Sequence, residues 1–254
     1  MKNNRPKVDI FVPVYNEQDN IEELFNSISE KVHCPFEVMI VYDSDDDGTL
    51  PVIERIKNNY TYTIRLVKNK FGRGALNAFR TGMDSIENDY IVFTMADLSD
   101  SLETINTMYD KLLNDNYDLV AGSRYIKGGS KQGGAFIKNL FSRCAGMSLQ
   151  LLTGMPMHDI SNGFKMYKKY VVESIKLESS VGFEIGVELA VKTFLAGYRI
   201  TEVPAGWCER EGGMSQFKMW SWIPHYLRWY FFAIRNSWFV NSYEKQFLQE
   251  NSPT

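Results

Sequence analysis

Through the first half of the chain, short apolar runs rich in β-branched residues alternate with stretches of helical periodicity. No other feature restricts the fold as strongly. Val8–Val14 and Phe36–Tyr42 read as strands, and so do 62–67, 90–94 and 117–121. Ile21, Leu24, Phe25 and Ile28 recur at helical spacing, with Asn16 as the expected cap and Asp19 in the first turn. Helices are also expected over 49–58, with Pro51 in its first turn, over 72–86 and over 102–113. Strand and helix in alternation imply an α/β fold, an open and mostly parallel sheet with helices on both faces.

The pattern changes after Arg124. Gly128, Gly129, Gly133 and Gly134 form a loop around Lys127 and Lys131. Helices are expected over 136–152, stopping at Gly154, and over 182–196, with Gly197 as C-cap. Strands are expected over 163–167 and 198–203, a last ordered part over 217–240, and a polar frayed tail from Asn241. The 254 residues are enough for one large domain with a full core. A net charge of −3 gives no nucleic-acid footprint. Cys34, Cys144 and Cys208 are odd in number and lack CxxC spacing, which argues against a disulfide framework or zinc and for a reducing compartment. The polar start of the chain has no apolar core of a secretory leader.

Candidate chemistry gathers where strands end. In open α/β sheets ligands sit at the carboxyl ends of strands, near the topological switch point. Asp43 closes the second strand and opens the acidic run Asp43-Ser44-Asp45-Asp46-Asp47-Gly48-Thr49. Its carboxylate can accept from the imide of a uracil or the N–H groups of a guanine; Asp-Asp-Gly is also plain turn chemistry. Asp97, in Met95-Ala96-Asp97-Leu98-Ser99-Asp100, suits Mg²⁺ or Mn²⁺ bridging to a diphosphate, while Ser99 or Asp100 can start the next helix. Arg73, in Asn69-Lys70-Phe71-Gly72-Arg73-Gly74, is placed for a phosphate or ribose contact or for a simple helix start. Arg124, Lys138, Arg210 and Lys218 are candidate phosphate cations, with Ser215 in the polar loop Glu209-Arg210-Glu211-Gly212-Gly213-Met214-Ser215, which could close over a diphosphate. Asp159 is a candidate for orienting an acceptor or a metal-bound water, and Glu188 for a structural role, binding Arg199 or a backbone group.

The C-terminal segment is crowded with aromatics: Trp220, Trp222, Tyr226, Trp229, Tyr230, Phe231, Phe232, Trp238 and Phe239. Pro224, His225, Arg228, Arg235 and Asn236 interrupt it too often for a membrane span. A basic, Trp-rich amphipathic segment can lie in a membrane interface, the preferred reading; the alternative is a helix packed on its own domain or forming a dimer seam.

With these residues assembled, the chain resembles the family 2 glycosyltransferases, and within them the dolichol-phosphate mannose synthase-like group, over roughly residues 8–220. The matching stretches are Pro13-Val14-Tyr15-Asn16-Glu17, Asp47-Gly48-Thr49, Gly122-Ser123-Arg124-Tyr125, Asn162-Gly163-Phe164 and Gly197-Tyr198-Arg199-Ile200-Thr201-Glu202-Val203-Pro204. The resemblance implies a GT-A (Rossmann-like) fold, a nucleotide-sugar donor and a polyprenyl-phosphate acceptor at the cytoplasmic membrane face. By motif position it places the nucleoside on Pro13, Tyr15, Glu17 and Asp43, the metal and diphosphate on Asp97, and phosphates on Arg124 and Arg210. Two departures stand out. Tyr42 replaces the first of two usual acids after the second strand, and Met95-Ala96-Asp97 supplies only one carboxylate of the usual Asp-x-Asp. Metal binding would then be weaker, recruit Asp100 or Asp159, or yield to cations of the protein.

The expected organisation is a catalytic domain over 1–216 and an amphipathic membrane-interface segment with a polar tail over 217–254. The expected activity is inverting transfer of a hexose from GDP-mannose or a UDP-sugar to a polyprenyl phosphate, with Asp97, Asp159 and Arg210 as its catalytic residues. A peripheral cytoplasmic location follows, with a membrane-protein partner or a homo-oligomer as further options. Alternatives are a transferase for a glycan or protein acceptor with Asp159 as base, a non-catalytic nucleotide-sugar binder, and a dinucleotide oxidoreductase built on the Gly72/Gly74 turn.

Overall fold

A computed structural model describes residues 5–209 and 219–250. In chain order its strands are β1 (Val8–Val14), β2 (Phe36–Tyr42), β3 (Ile64–Lys68), β4 (Tyr90–Phe93), β5 (Leu119–Ser123), β6 (Ser130–Gln132), β7 (Lys165–Lys168), β8 (Ile200–Pro204) and β9 (Gly206–Cys208). The helices are α1 (Ile21–Lys31), α2 (Thr49–Ile56), α3 (Ala75–Asp84), α4 (Thr104–Asn114), α5 (Phe136–Thr153), α6 (Lys169–Ser174), α7 (Ile185–Leu195) and α8 (Met219–Glu250). Seven strands form one sheet in the order β3-β2-β1-β4-β7-β5-β8, and β6 pairs with β9 in a small second sheet. The large sheet is parallel except for β7, which runs antiparallel between β4 and β5. The expected α/β architecture is therefore present.

Both faces of the sheet are covered, because alternate residues of a strand point to opposite sides. Val8, Ile10, Val12 and Val14 of β1 pack with α1, α2 and α4. Phe11 of the same strand packs on the other face with α3, α7 and α8. Each such buried side chain is worth roughly 1.5–3 kcal/mol relative to exposure. Gly82 lets α3 lie close on β1: a Cβ there would come within 2.2 Å of the Phe11 ring.

Several boundaries differ from expectation for local reasons. Asn16 does not cap α1. It takes a left-handed conformation (φ 54°) and its amide is bound by Asp47, so the helix starts at Ile21 instead. The third helix starts at Ala75 rather than Gly72, because Gly72 and Gly74 hold φ of 93° and 113°, outside helical space. The sequence did not announce β6, β9 or α6. The last helix continues past Asn241 to Glu250.

One buried carboxylate ties the amino ends of the central strands together. Asp9, fully buried in β1, accepts from Arg65 Nη2 (2.7 Å), from the amides of Glu87 (2.9 Å) and Asn88 (3.0 Å), and from Asn88 Nδ2 (2.9 Å). Asp9→Ala would leave the amides of Glu87 and Asn88 without their acceptor and strip the Arg65 guanidinium of its buried partner, and is expected to lower stability by about 3–5 kcal/mol in urea unfolding. A loss of less than about 1 kcal/mol, typical of an exposed pair, would contradict this assignment.

Candidate active site

All six parallel strands of the large sheet end on one edge, and the antiparallel β7 begins there. The chain order reverses between β1 and β4, so the crevice outside their carboxyl ends is the switch point where ligands bind in such sheets. The segments after β1, β2, β3, β4 and β5 carry Tyr15 and Glu17, Asp43, Arg73, Asp97 and Arg124 to this edge. Pro13 is the penultimate residue of β1, half-buried and in register with Val41.

The loops after β1 and β2 are clasped to each other. The Asp47 carboxylate accepts the amides of Asn16 (3.2 and 3.1 Å) and Thr49 (2.8 Å), and the Glu17 amide donates to Thr49 Oγ1 (2.8 Å). Asn16 Oδ1 returns the contact by accepting from the Gly48 amide (3.4 Å). This clasp explains why Asn-Glu and Asp-Gly-Thr occur together. It leaves Tyr15 67% exposed at the rim. Asp43 is anchored separately: Oδ1 accepts Asn69 Nδ2 (2.9 Å) and Oδ2 accepts the Gly74 amide (2.9 Å). The positive φ of Gly74 is what turns its N–H toward the acid. Asn69 in turn accepts the hydroxyl of the fully buried Thr81 (2.9 Å). Arg73 reaches over the same loop to Ser44 Oγ (3.3 Å).

After β4, Leu98 adopts a left-handed conformation (φ 59°) and Asp97 accepts the Ser99 amide (3.1 Å). Asp100 accepts the Thr94 hydroxyl (3.1 Å). Burial, then the neighbouring Asp97 charge, push the Asp100 carboxyl up to about 7, against the pull of Thr94 and Arg124. The loop is laced to the second sheet by Cys208 N to Ser99 O (3.0 Å) and Gly206 N to Ser101 Oγ (2.8 Å). Among the described residues no cluster of three His, Cys, Asp or Glu side chains could hold a metal ion.

At the end of β5, Arg124 lies side-on against Asp159. Its Nε and Nη2 each donate to a carboxylate oxygen at 2.7 Å, its amide donates to Oδ2 (3.1 Å), and Nη2 also reaches Ser161 Oγ (3.1 Å). Asp159 is fully buried, and Ser161 Oγ adds a fourth donor (3.3 Å). Both of its oxygens are saturated, so it has no lone pair left for an acceptor hydroxyl or a metal-bound water. That corrects the role expected of it from sequence. Nη1 of Arg124 has no hydrogen-bond partner among the described residues.

Arg210, Ser215 and Lys218 lie outside the described residues, and so does the Lys138 side chain. Glu188 does have the expected structural role, through backbone rather than Arg199: it accepts the amides of Glu178 (2.6 Å) and Ser179 (2.8 Å) and pairs with Lys192 (2.7 Å). Sequence reasoning missed Asn69 and Thr81, because their work is to hold another side chain. It also missed Glu202, which binds the Asp159 amide (2.9 Å), and the buried Lys165.

Residues 9–176 match Glycosyl transferase family 2, and the chain belongs to that family. Its sheet and flanking helices make the GT-A fold. Dolichol-phosphate mannosyltransferase of Pyrococcus furiosus is 29% identical over 215 residues, covering 84% of this chain and 59% of its own length. The chain thus spans about three fifths of that relative. Polyprenol monophosphomannose synthase of Mycolicibacterium smegmatis is 26% identical over 213 residues, 82% of this chain and 79% of that protein. Among solved structures, glucosyl-3-phosphoglycerate synthase from Mycobacterium tuberculosis with uridine diphosphate superposes with a TM-score of 0.67 at 16% identity, over 90% of this chain and 80% of that one. The mannosyltransferase PcManGT from Pyrobaculum calidifontis, in complex with GDP-Man and Mn²⁺, gives 0.65 at 21% identity, over 92% and 65%. At these identities the structural likenesses establish the fold.

Asp47→Ala should release the clasp. Amide hydrogen exchange at Asn16 and Thr49 is expected to accelerate, with a stability loss of about 1–3 kcal/mol for the unpaired donors. Unchanged protection at both amides would mean that the clasp does not hold the loops.

Proposed function

We propose that this glycosyltransferase moves one hexose, with inversion, from a nucleoside diphosphate sugar (GDP-mannose or a UDP-sugar) to a polyprenyl phosphate. The observation that carries this reading is the saturation of Asp159. A hydroxyl acceptor needs a general base, and the carboxylate nominated for that task has every lone pair engaged. A phosphate monoester is already anionic near neutral pH and needs none. It needs a cation held in place, which is what Arg124 offers through Nη1. The names of the two curated relatives support the same acceptor.

On this reading Pro13, Tyr15, Glu17 and Asp43 hold the nucleoside and Arg73 reaches its ribose or phosphate. Asp97 meets the diphosphate. Arg124 meets a phosphate, with Lys138, Arg210, Ser215 and Lys218 as further phosphate contacts. Catalysis rests on alignment of donor and acceptor and on stabilising the leaving diphosphate. Mg²⁺ or Mn²⁺ suits this site. Asp97 and Asp100 lie close enough for one to raise the carboxyl of the other, and hard cations favour one or two such carboxylates together with phosphate oxygens. When bound, the ion supplies charge neutralisation for the departing diphosphate.

The domain covers 1–216, and 217–254 serves as an amphipathic membrane-interface segment, which places the enzyme peripherally on the cytoplasmic membrane face. No helix among the described residues is long and apolar enough to cross a membrane. Trp229, Ala233 and Ser237 bury one face of α8 in the body, while Leu227 and Phe231 stay exposed beside Arg228 and Arg235. Alongside, with Tyr230 Oη bonded to Ser148 Oγ (2.8 Å), α5 exposes Leu140, Phe141, Met147 and Leu151 on one helical stripe. Two neighbouring helices with apolar outer faces and basic flanks fit a lipid headgroup boundary.

The test is nucleotide release from GDP-mannose, UDP-glucose and UDP-N-acetylglucosamine, with and without a polyprenyl phosphate and Mg²⁺ or Mn²⁺. Turnover should require the lipid phosphate. Turnover on a sugar or peptide hydroxyl without it would point to the other acceptor class. Asp97→Asn and Arg210→Ala should each lower kcat by about 10²-fold or more with the fold intact. Leu151→Glu with Phe231→Glu should abolish sedimentation with anionic vesicles while leaving turnover on a short-chain acceptor in place. A dimer in solution that those changes dissolve, without vesicle binding, would make the same face a subunit seam.

A further inference from the structure

Beneath Arg124 lies a second layer of charge that the transfer reaction does not touch. Lys165 opens β7 in the middle of the sheet and is fully buried. Its Nζ donates to the carbonyl oxygens of Ile160 (3.0 Å) and Asn162, both in the turn that carries Asp159. The turn is also held by Asn162 Nδ2 on Gly122 O (2.8 Å), one residue ahead of the β5 end. Glu202 of β8 is nearly buried. Its Oε1 accepts the Asp159 amide (2.9 Å) and its Oε2 lies 2.8 Å from His158 Nδ1 at the surface. Two cations, Arg124 and Lys165, thus lie close to two anions, Asp159 and Glu202, with little or no exposure to solvent.

Such a cluster is costly to bury unless its charges balance and its polar atoms are satisfied. Hydrophobic residues of similar size would fill the same volume without that cost, so stability alone does not call for a lysine here. Burial pushes Lys165 down to about 8, and Arg124 presses in the same direction, while Asp159 and Glu202 oppose both. The four groups therefore sense each other's charge.

We infer that Lys165 and Glu202 are positioning residues for Arg124: they fix the 158–164 turn and balance its charge, so that Asp159 holds the guanidinium with Nη1 turned toward an acceptor phosphate. This rests on the proposed phosphate contact of Arg124. Neither residue touches donor or acceptor; each acts through Asp159. The donor side of the crevice, built on Asp43, Asn69 and Gly74, has its own anchors and should be unaffected.

The experiment is a charge-balance cycle on the full chain: Lys165→Met, Glu202→Gln and the double variant. Glutamine keeps an acceptor for the Asp159 amide but removes the charge. Affinity for farnesyl phosphate, by titration calorimetry in the presence of GDP or UDP, is expected to fall about tenfold or more in each single variant, the scale of one charge-assisted contact. The double variant, with one charge of each sign removed, should recover part of that loss. Affinity for GDP or UDP alone should match the parent in all three. Losses that simply add in the double variant would overturn the charge-balance inference, and so would single variants that bind farnesyl phosphate like the parent. Equal loss of nucleotide affinity and thermal stability would also overturn it, by showing a general structural role. Arg124→Ala separates the two levels. If it leaves farnesyl phosphate affinity unchanged, the phosphate reading fails; if it weakens binding while Lys165→Met does not, only the positioning inference fails.

Discussion

Loop amides at the ends of strands must find acceptors, and in this protein buried and half-buried carboxylates provide them. Backbone N–H groups that leave a sheet cannot remain unpaired away from water. Asp47 takes those of Asn16 and Thr49, Asp43 that of Gly74, Asp97 that of Ser99, Asp159 that of Arg124 and Glu202 that of Asp159. Glu184 takes three consecutive amides at the start of α7, from Ser180, Val181 and Gly182. Asp9 and Asp118 do the same at the opposite edge. The loops that form the crevice are held in shape by these contacts.

This has a consequence for chemistry. A carboxylate used as a fastener has fewer lone pairs left to spend on a substrate. Asp159 has none, whereas each oxygen of Asp43 accepts one bond and retains room for another. Asp100 is raised by its burial and by the neighbouring Asp97, against the pull of Thr94 and Arg124. The acids of the crevice thus divide by satisfaction: Asp159 is saturated by its neighbours, while Asp43 fastens its loop and still keeps acceptor capacity.

The outer helices show a similar division of labour. Trp229 of α8 is buried with Lys192 and Arg228 on its ring at 5.0 and 4.8 Å, and its Nε1 donates to Ser179 Oγ (3.2 Å). That docking takes one stripe of the aromatic segment into the core and leaves another outside. Composition alone could not separate the two, since Trp229 and Phe231 look alike in a sequence and differ only in the side of the helix on which they fall.

Much of the architecture was legible from residues 8–123, because period-2 and period-3.6 patterns are local properties of the chain and strand–helix alternation admits few sheets. The identities of the crevice loops were legible too, through Asp43, Asp97, Arg124 and the Pro13–Glu17 stretch, since the carboxyl ends of parallel strands are determined once the strands are. What the linear order could not hold was partnership. The antiparallel insertion of β7 beside β4, the clasp of Asn16 by Asp47 and the capture of Asp159 by Arg124 all join groups more than 30 residues apart, and the burial of Lys165 follows from the place of β7 in the sheet. A carboxylate reads the same in a sequence whether it faces a ligand or an amide; only the packed structure, by setting which donors surround it, decides its task.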